Sequence, residues 1–187
     1  AEIYGLADKA NSVQASFFDF DKDGDLDVYI ANYPITPFNA PNQLYAFKQK
    51  YGKEHERDRL MENRDGIFVD VTEAAGVLNF GLSLSVTIGD VNNDSWPDIY
   101  ISNDFSTPDF FYINQGDGTF KNQVKNTTGQ TAFYGMGVDI ADFNNDQLLD
   151  IVQVDMMAKD NRRAKANMAS MNPSLFWGAV NSGFHYQ

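Results

Sequence analysis

The chain has 187 residues, of which 43% are hydrophobic and 14% aromatic, and a formal net charge of −12. That is enough apolar material for a packed core, and an acidic balance that argues against nucleic acid as a partner. Cysteine is absent, which removes disulfides, thiolate metal sites and cysteine nucleophiles, and no apolar run approaches the roughly 18 residues that span a bilayer.

Residues 1–11 read as the tail of a preceding repeat unit, because Glu2, Gly5 and Asp19 reproduce the spacing of Glu73, Gly76 and Asp90. They carry no legible export signal. The unit over 12–78 opens with an apolar strand, an acidic loop at 19–27 and a second apolar strand, the run ASFFDFDKDGDLDVYIANY from Ala15. It carries an insertion near 48–63 rich in both charge signs, expected before its fourth strand as a solvated hairpin or short helix. The unit over 79–131 repeats the pattern with its loop at 90–98, and four strands are expected near 84–89, 98–103, 109–114 and 119–124. Asp117-Gly118 supplies the last hairpin turn. The segment 132–187 begins as a third unit with its loop at 142–150, then leaves the pattern for a stretch with a helical look near 161–183.

The loops start 71 and 52 residues apart, and a 19-residue insertion in the first unit accounts for the difference. A period of about 50 residues with several short strands per unit marks a propeller blade. The expected fold is therefore all-β: about three blades of four antiparallel strands, an incomplete ring completed by further blades or by neighbouring subunits.

Eleven of the 26 acids fall within the three nine-residue loops. The first places side-chain oxygens at positions 1, 3, 5 and 9 with Asp19, Asp21, Asp23 and Asp27, and adds Asp25 at position 7. The second offers Asp90, Asn92, Asp94 and Asp98 with Trp96 at position 7; the third offers Asp142, Asn144, Asp146 and Asp150 with Leu148 there. Alternate residues of a tight loop can aim oxygens at one hard cation, and Ca²⁺ takes six to eight such ligands, with position 7 giving its backbone carbonyl. About three Ca²⁺ ions are expected; Mg²⁺ is less apt because it demands a stricter octahedron and gives up water reluctantly. Ser95 and Gln147 stand where glycine is usual at position 6, so these two loops must accept positive φ there or adjust. An EF-hand is excluded because position 12 holds Ile30, Ile101 and Gln153 instead of glutamate.

These loops, flanked by apolar strands, together with Phe80-Gly81 and Tyr134-Gly135 a few residues ahead of two of them, resemble the FG-GAP or VCBS repeat family, the propellers also found in integrin α subunits. The run Asn114 to Phe120 and the stretch Asp155-Met156-Met157 followed by Asp160 to Arg163 are similar to bacterial exported VCBS-repeat proteins related to cartilage acidic protein. The resemblance implies structural ions that pin the first two strands of each blade, an extracellular, cell-surface or periplasmic setting, and a protein or glycan partner met by other loops.

No catalytic motif surrounds His55 or His185, and Asp139 with Asp155 forms a carboxylate pair of interest only if their environments differ. The expected role is a binding module and not an enzyme. The alternatives are an exported hydrolase or lyase on the same scaffold, and an architectural subunit of an envelope assembly.

Overall fold

The computed structural model describes residues 1–36, 44–104, 107–156, 162 and 181. Most of the stretch near 161–183, read from sequence as helical, lies outside the described residues. Ten strands form three antiparallel sheets. The first contains β1 (Ser12–Phe18), β2 (Asp27–Asn32), β3 (Arg59–Arg64) and β4 (Ile67–Asp70) in that order. The second contains β5 (Ser83–Gly89), β6 (Asp98–Asn103), β7 (Phe110–Asn114) and β8 (Phe120–Asn122), and the third pairs β9 (Gly135–Ala141) with β10 (Asp150–Asp155). Each four-stranded sheet is a meander in chain order, as expected of a propeller blade.

The sheets stack face to face in sequence order, and strand alternation decides which residue meets which neighbour. In the second sheet Ile99, Ile101, Phe110 and Tyr112 point at Phe18, Tyr29, Ala31 and Leu60 of the first. The alternate residues Tyr100 and Phe111 point the other way, at Val138, Ile140 and Ile151 of the third. With both faces covered, every residue of β6 is buried, its central Ile99-Tyr100-Ile101 apolar on both faces. Phe110 and Tyr112 stack with centroids 5.5 Å apart and planes at 3°. Burial of such side chains contributes about 1.5–3 kcal/mol apiece.

The expected strands of the second unit are found within a residue or two, except that the last stops at Asn122 and gives way to a helical turn, α2 (Val124–Thr127). The insertion is a correction to the sequence reading. It lies between the second and third strands, not before the fourth, and residues 59–64 are themselves the third strand. It forms the helix α1 (Leu44–Tyr51) and a 3₁₀ turn at Glu54–Glu56. Nor is it wholly solvated. Tyr45 enters the core against Phe110, with centroids 5.8 Å apart. Lys48 is buried in an ion pair with Glu56, and buried Arg57 pairs with Asp70 at 3.1 Å.

Gly81, the glycine of Phe80-Gly81, has a physical reason to be there: a Cβ at that position would stand 2.3 Å from Oδ1 of Asn103. Gly135 is equally confined, since its Cβ would stand 2.4 Å from Ser102 Oγ of the neighbouring sheet.

Candidate metal centres

The three acidic loops occupy the same place in their sheets, each joining the first strand to the second. The register pairs position 9 of each loop with the last residue of the first strand: Phe18 with Asp27, Gly89 with Asp98 and Ala141 with Asp150. The loops also share a backbone signature. Positions 4 and 6 are left-handed in every copy, with φ of 62° and 96° at Lys22 and Gly24, 59° and 74° at Asn93 and Ser95, and 62° and 72° at Asn145 and Gln147. Ser95 and Gln147 therefore adopt the positive φ for which glycine is the usual choice; the second and third loops accept that strain and keep the conformation of the first.

Two left-handed residues curl the chain so that its N–H groups turn inward onto the side chains. Gly24 N–H donates to Asp19 Oδ2 at 3.1 Å, matched by Ser95 to Asp90 at 2.7 Å and Gln147 to Asp142 at 2.9 Å. Position 5 donates to position 3 in all loops: Asp23 to Asp21, Asp94 to Asn92 and Asp146 to Asn144, at 3.2, 2.9 and 2.8 Å. Position 7 donates to position 5, from Asp25, Trp96 and Leu148 at 3.0, 2.8 and 2.9 Å. A carboxylate has about four acceptor sites, so each keeps lone pairs for a further partner.

Position 9 is the junction of the sheet. One oxygen of Asp27, Asp98 and Asp150 accepts the N–H of position 2, from Phe20, Val91 and Phe143, each at 3.1 Å. The other oxygen of Asp27 accepts from Asn63 on β3 at 2.8 Å, and that of Asp98 from Asn114 on β7 at 2.9 Å. One carboxylate thus ties loop, second strand and third strand. Burial pushes Asp27 and Asp98 up to about 6, opposed by those N–H donors and reinforced by nearby carboxylates of the same loop. Asp21 and Asp25 are also raised, by desolvation first and then by neighbouring acids, with the Asp23 N–H bond opposing at Asp21.

Of the residues singled out in sequence, Asp19, Asp21 and Asp27 each bring one oxygen within 4.8 Å of the others. Asp19 Oδ1 and Asp25 Oδ1 are buried with no hydrogen-bond partner. Unpaired buried carboxylate oxygens in a like-charged loop suit a divalent cation, and the all-oxygen donor set is of the hard type that Ca²⁺ prefers. The side chain of Leu148 is exposed and that of Trp96 half-buried. The pair Asp139 and Asp155 is not brought together: Asp139 faces Val152 within the hairpin, whereas Asp155 sits at its end opposite Gly135.

Sequence reasoning missed a second repeated group. At the far end of β2 and β6 from the loops, Asp58 accepts from Asn32 N–H at 2.7 Å, Tyr29 hydroxyl at 3.1 Å, Ser83 hydroxyl at 2.7 Å and Asn79 amide at 3.2 Å. Asp109 accepts from Asn103 N–H at 2.7 Å, Tyr100 hydroxyl at 3.1 Å and Gln153 amide at 2.8 Å. The signal was present as Tyr29-x-x-Asn32 and Tyr100-x-x-Asn103 in register, each followed by an aspartate just before the third strand. The insertion, which lengthens the gap in the first copy, hid it.

A stack of antiparallel meanders, each opening with an acidic hairpin loop of one geometry, defines a repeat protein of the propeller-blade class. Residues 90–152, which hold the second and third loops, match the FG-GAP-like repeat. The chain is similar to cartilage acidic protein 1 of Xenopus tropicalis, 30% identical over 153 residues, which are 79% of this chain and 22% of that protein. It is also similar to cartilage acidic protein 1 of Mus musculus and of Homo sapiens, in each case 36% identical over 84 residues, 44% of this chain and 13% of the relative. The chain spans about a fifth or less of the length of these relatives.

Proposed function

We propose that the chain is a calcium-stabilised segment of an extracellular β-propeller and serves as a binding module for a protein or glycan partner, with one Ca²⁺ held by each acidic loop. The observation that carries the reading is the convergence of Asp19, Asp21 and Asp27 within 4.8 Å beside the unpaired, buried Asp19 Oδ1, in a loop whose left-handed positions recur in the other two. Side-chain ligands are Asp19, Asp21, Asp23 and Asp27 in the first loop, Asp90, Asn92, Asp94 and Asp98 in the second, and Asp142, Asn144, Asp146 and Asp150 in the third. Position 7, at Asp25, Trp96 and Leu148, gives a backbone carbonyl. Three ions bring the formal charge from −12 to about −6. An ion so held neutralises carboxylates that sit at the strand junction, so its role is to fasten the blade, with no substrate chemistry assigned to it. An extracellular setting follows from the micromolar to millimolar affinities such loops have, which the cytosol does not fill reliably, and is supported by the likeness to cartilage acidic protein 1. No helix among the described residues is long and apolar enough to cross a membrane.

The test is thermal unfolding of chelator-treated protein as calcium is added. A ligand of the folded state alone raises the midpoint with concentration, by about 2.7 kcal/mol of stability per site at a hundredfold excess over Kd. A midpoint that ignores calcium sinks the reading.

A further inference from the structure

The first and second loops are not separate. Lys22, at position 4 of the first, places its ammonium 4.2 Å from the ring centroid of Trp96, at position 7 of the second. The indole is also pressed on Gly116, where a Cβ would stand 2.9 Å from Trp96 Nε1. Beneath this contact, the Asn114 amide donates to the carbonyl of Phe20, position 2 of the first loop, at 2.9 Å, and to the carbonyl of Pro97 in the second at 3.3 Å. The same residue's N–H holds Asp98 at 2.9 Å. Phe20 itself is buried against Phe120, with centroids 6.0 Å apart. Two independent bridges thus run from residues between the ligands of one loop to the position 7 and position 9 residues of the next.

We infer that these two loops bind calcium cooperatively, each ion ordering the Lys22–Trp96 and Asn114 bridges that the other loop also needs. The inference rests on the calcium reading above. In an empty first loop the five carboxylates compete with the face of Trp96 for the Lys22 ammonium. An ion there offsets two of those five negative charges, which weakens the competition, leaves the ammonium on the face of Trp96 and fixes the residue whose carbonyl faces the second ion. The ordering entropy is met once for two ions, giving positive coupling; repulsion between the ions is weakened by salt over a Debye length of about 8 Å. The third loop stands outside this arrangement. The corresponding residues are Asn93 and Leu148, and an amide and an aliphatic side chain cannot form a cation–ring contact.

The test uses Trp177→Phe protein, in which Trp96 is the one remaining tryptophan, titrated with calcium by calorimetry and by Trp96 emission. Asp23→Ala, an exposed substitution that disables the first loop, weakens the second by about fivefold, and Asp94→Ala weakens the first by the same factor, as linkage requires. Asp146→Ala in the third loop leaves both affinities unchanged. Lys22→Met or Trp96→Leu, the latter the residue the third loop carries at this place, removes the dependence in calorimetry. Lys22→Met also changes the field at the first loop, but by an equal amount with and without Asp94→Ala, so the double-mutant cycle cancels it. Affinities at the first and second loops that ignore each other, or a second loop that tightens when the first is disabled, overturn the coupling and leave the calcium reading standing. Absence of any calcium heat in the unmutated loops overturns both.

Discussion

The two ends of each four-stranded blade are both organised by a repeated aspartate, and they solve opposite problems. At the loop end, carboxylates crowd one another near solvent and accept N–H groups from their own loop, which leaves negative charge uncompensated. At the far end, Asp58 and Asp109 are buried among neutral donors drawn from several strands, with no salt bridge to either among the described residues. One end leaves carboxylate oxygens unpaired, as the proposed calcium sites require; the other has its acceptors filled by neutral donors. The same residue type therefore supports two roles according to whether water or a set of fixed dipoles surrounds it.

The sharpest way to separate the ends is to remove one aspartate from each. Asp58→Ala leaves the Tyr29 hydroxyl and the Asn32 N–H without their acceptor and takes one acceptor from the Ser83 hydroxyl and the Asn79 amide, which keep Asn103 and Tyr29. Stability measured by urea unfolding should fall by about 3–5 kcal/mol, equally in calcium and in chelator. Asp23→Ala should remove about 2–3 kcal/mol in calcium and almost nothing in chelator. If both variants responded alike to calcium, the division between the ends would be wrong.

Protons give a smaller and differently signed signal. Burial pushes Asp58 and Asp109 up to about 6 from an ordinary 3.8, partly offset by their hydrogen bonds. A raised folded-state value favours the folded protein fully below the unfolded value, and the advantage is lost as pH rises through the folded one. In chelator, stability should decline between about pH 4 and pH 6, and Asp58→Asn should flatten that decline by about 2 kcal/mol. An unchanged slope in the variant would show that the far-end carboxyl does not titrate there. The smallest effect concerns position 6. Ser95→Gly and Gln147→Gly relieve left-handed strain at φ of 74° and 72°, and each should add about 0.5–1 kcal/mol in calcium titrations of stability.

The blade repeat, the strands of the second unit and the loop positions were legible because they are local: alternation and the spacing of oxygens need no tertiary information. What was not legible depended on residues meeting across the fold. Arg59-Leu60-Met61-Glu62 is charged at both ends and reads as a loop, yet it is the third strand, with Leu60 and Met61 buried on its two faces. Tyr45 could not be placed in a core that is built from two sheets distant in sequence. The tie from Asp98 to Asn114 and the left-handed position 4 likewise leave no mark in composition, since Lys22 shares no side-chain chemistry with Asn93 and Asn145.

That shared backbone at positions 4 and 6 also sets how these loops can drift over evolutionary time. Glycine, asparagine, serine, lysine and glutamine are all in use there, so side-chain identity is nearly free while shape is not. A saturation library over Asn93 and Ser95 should lose valine and isoleucine first, because a branched β-carbon is the one feature that positive φ refuses. Positions whose side chains ligate no ion would then still be restricted in backbone shape, and a pattern search that scores carboxylates alone would overlook them.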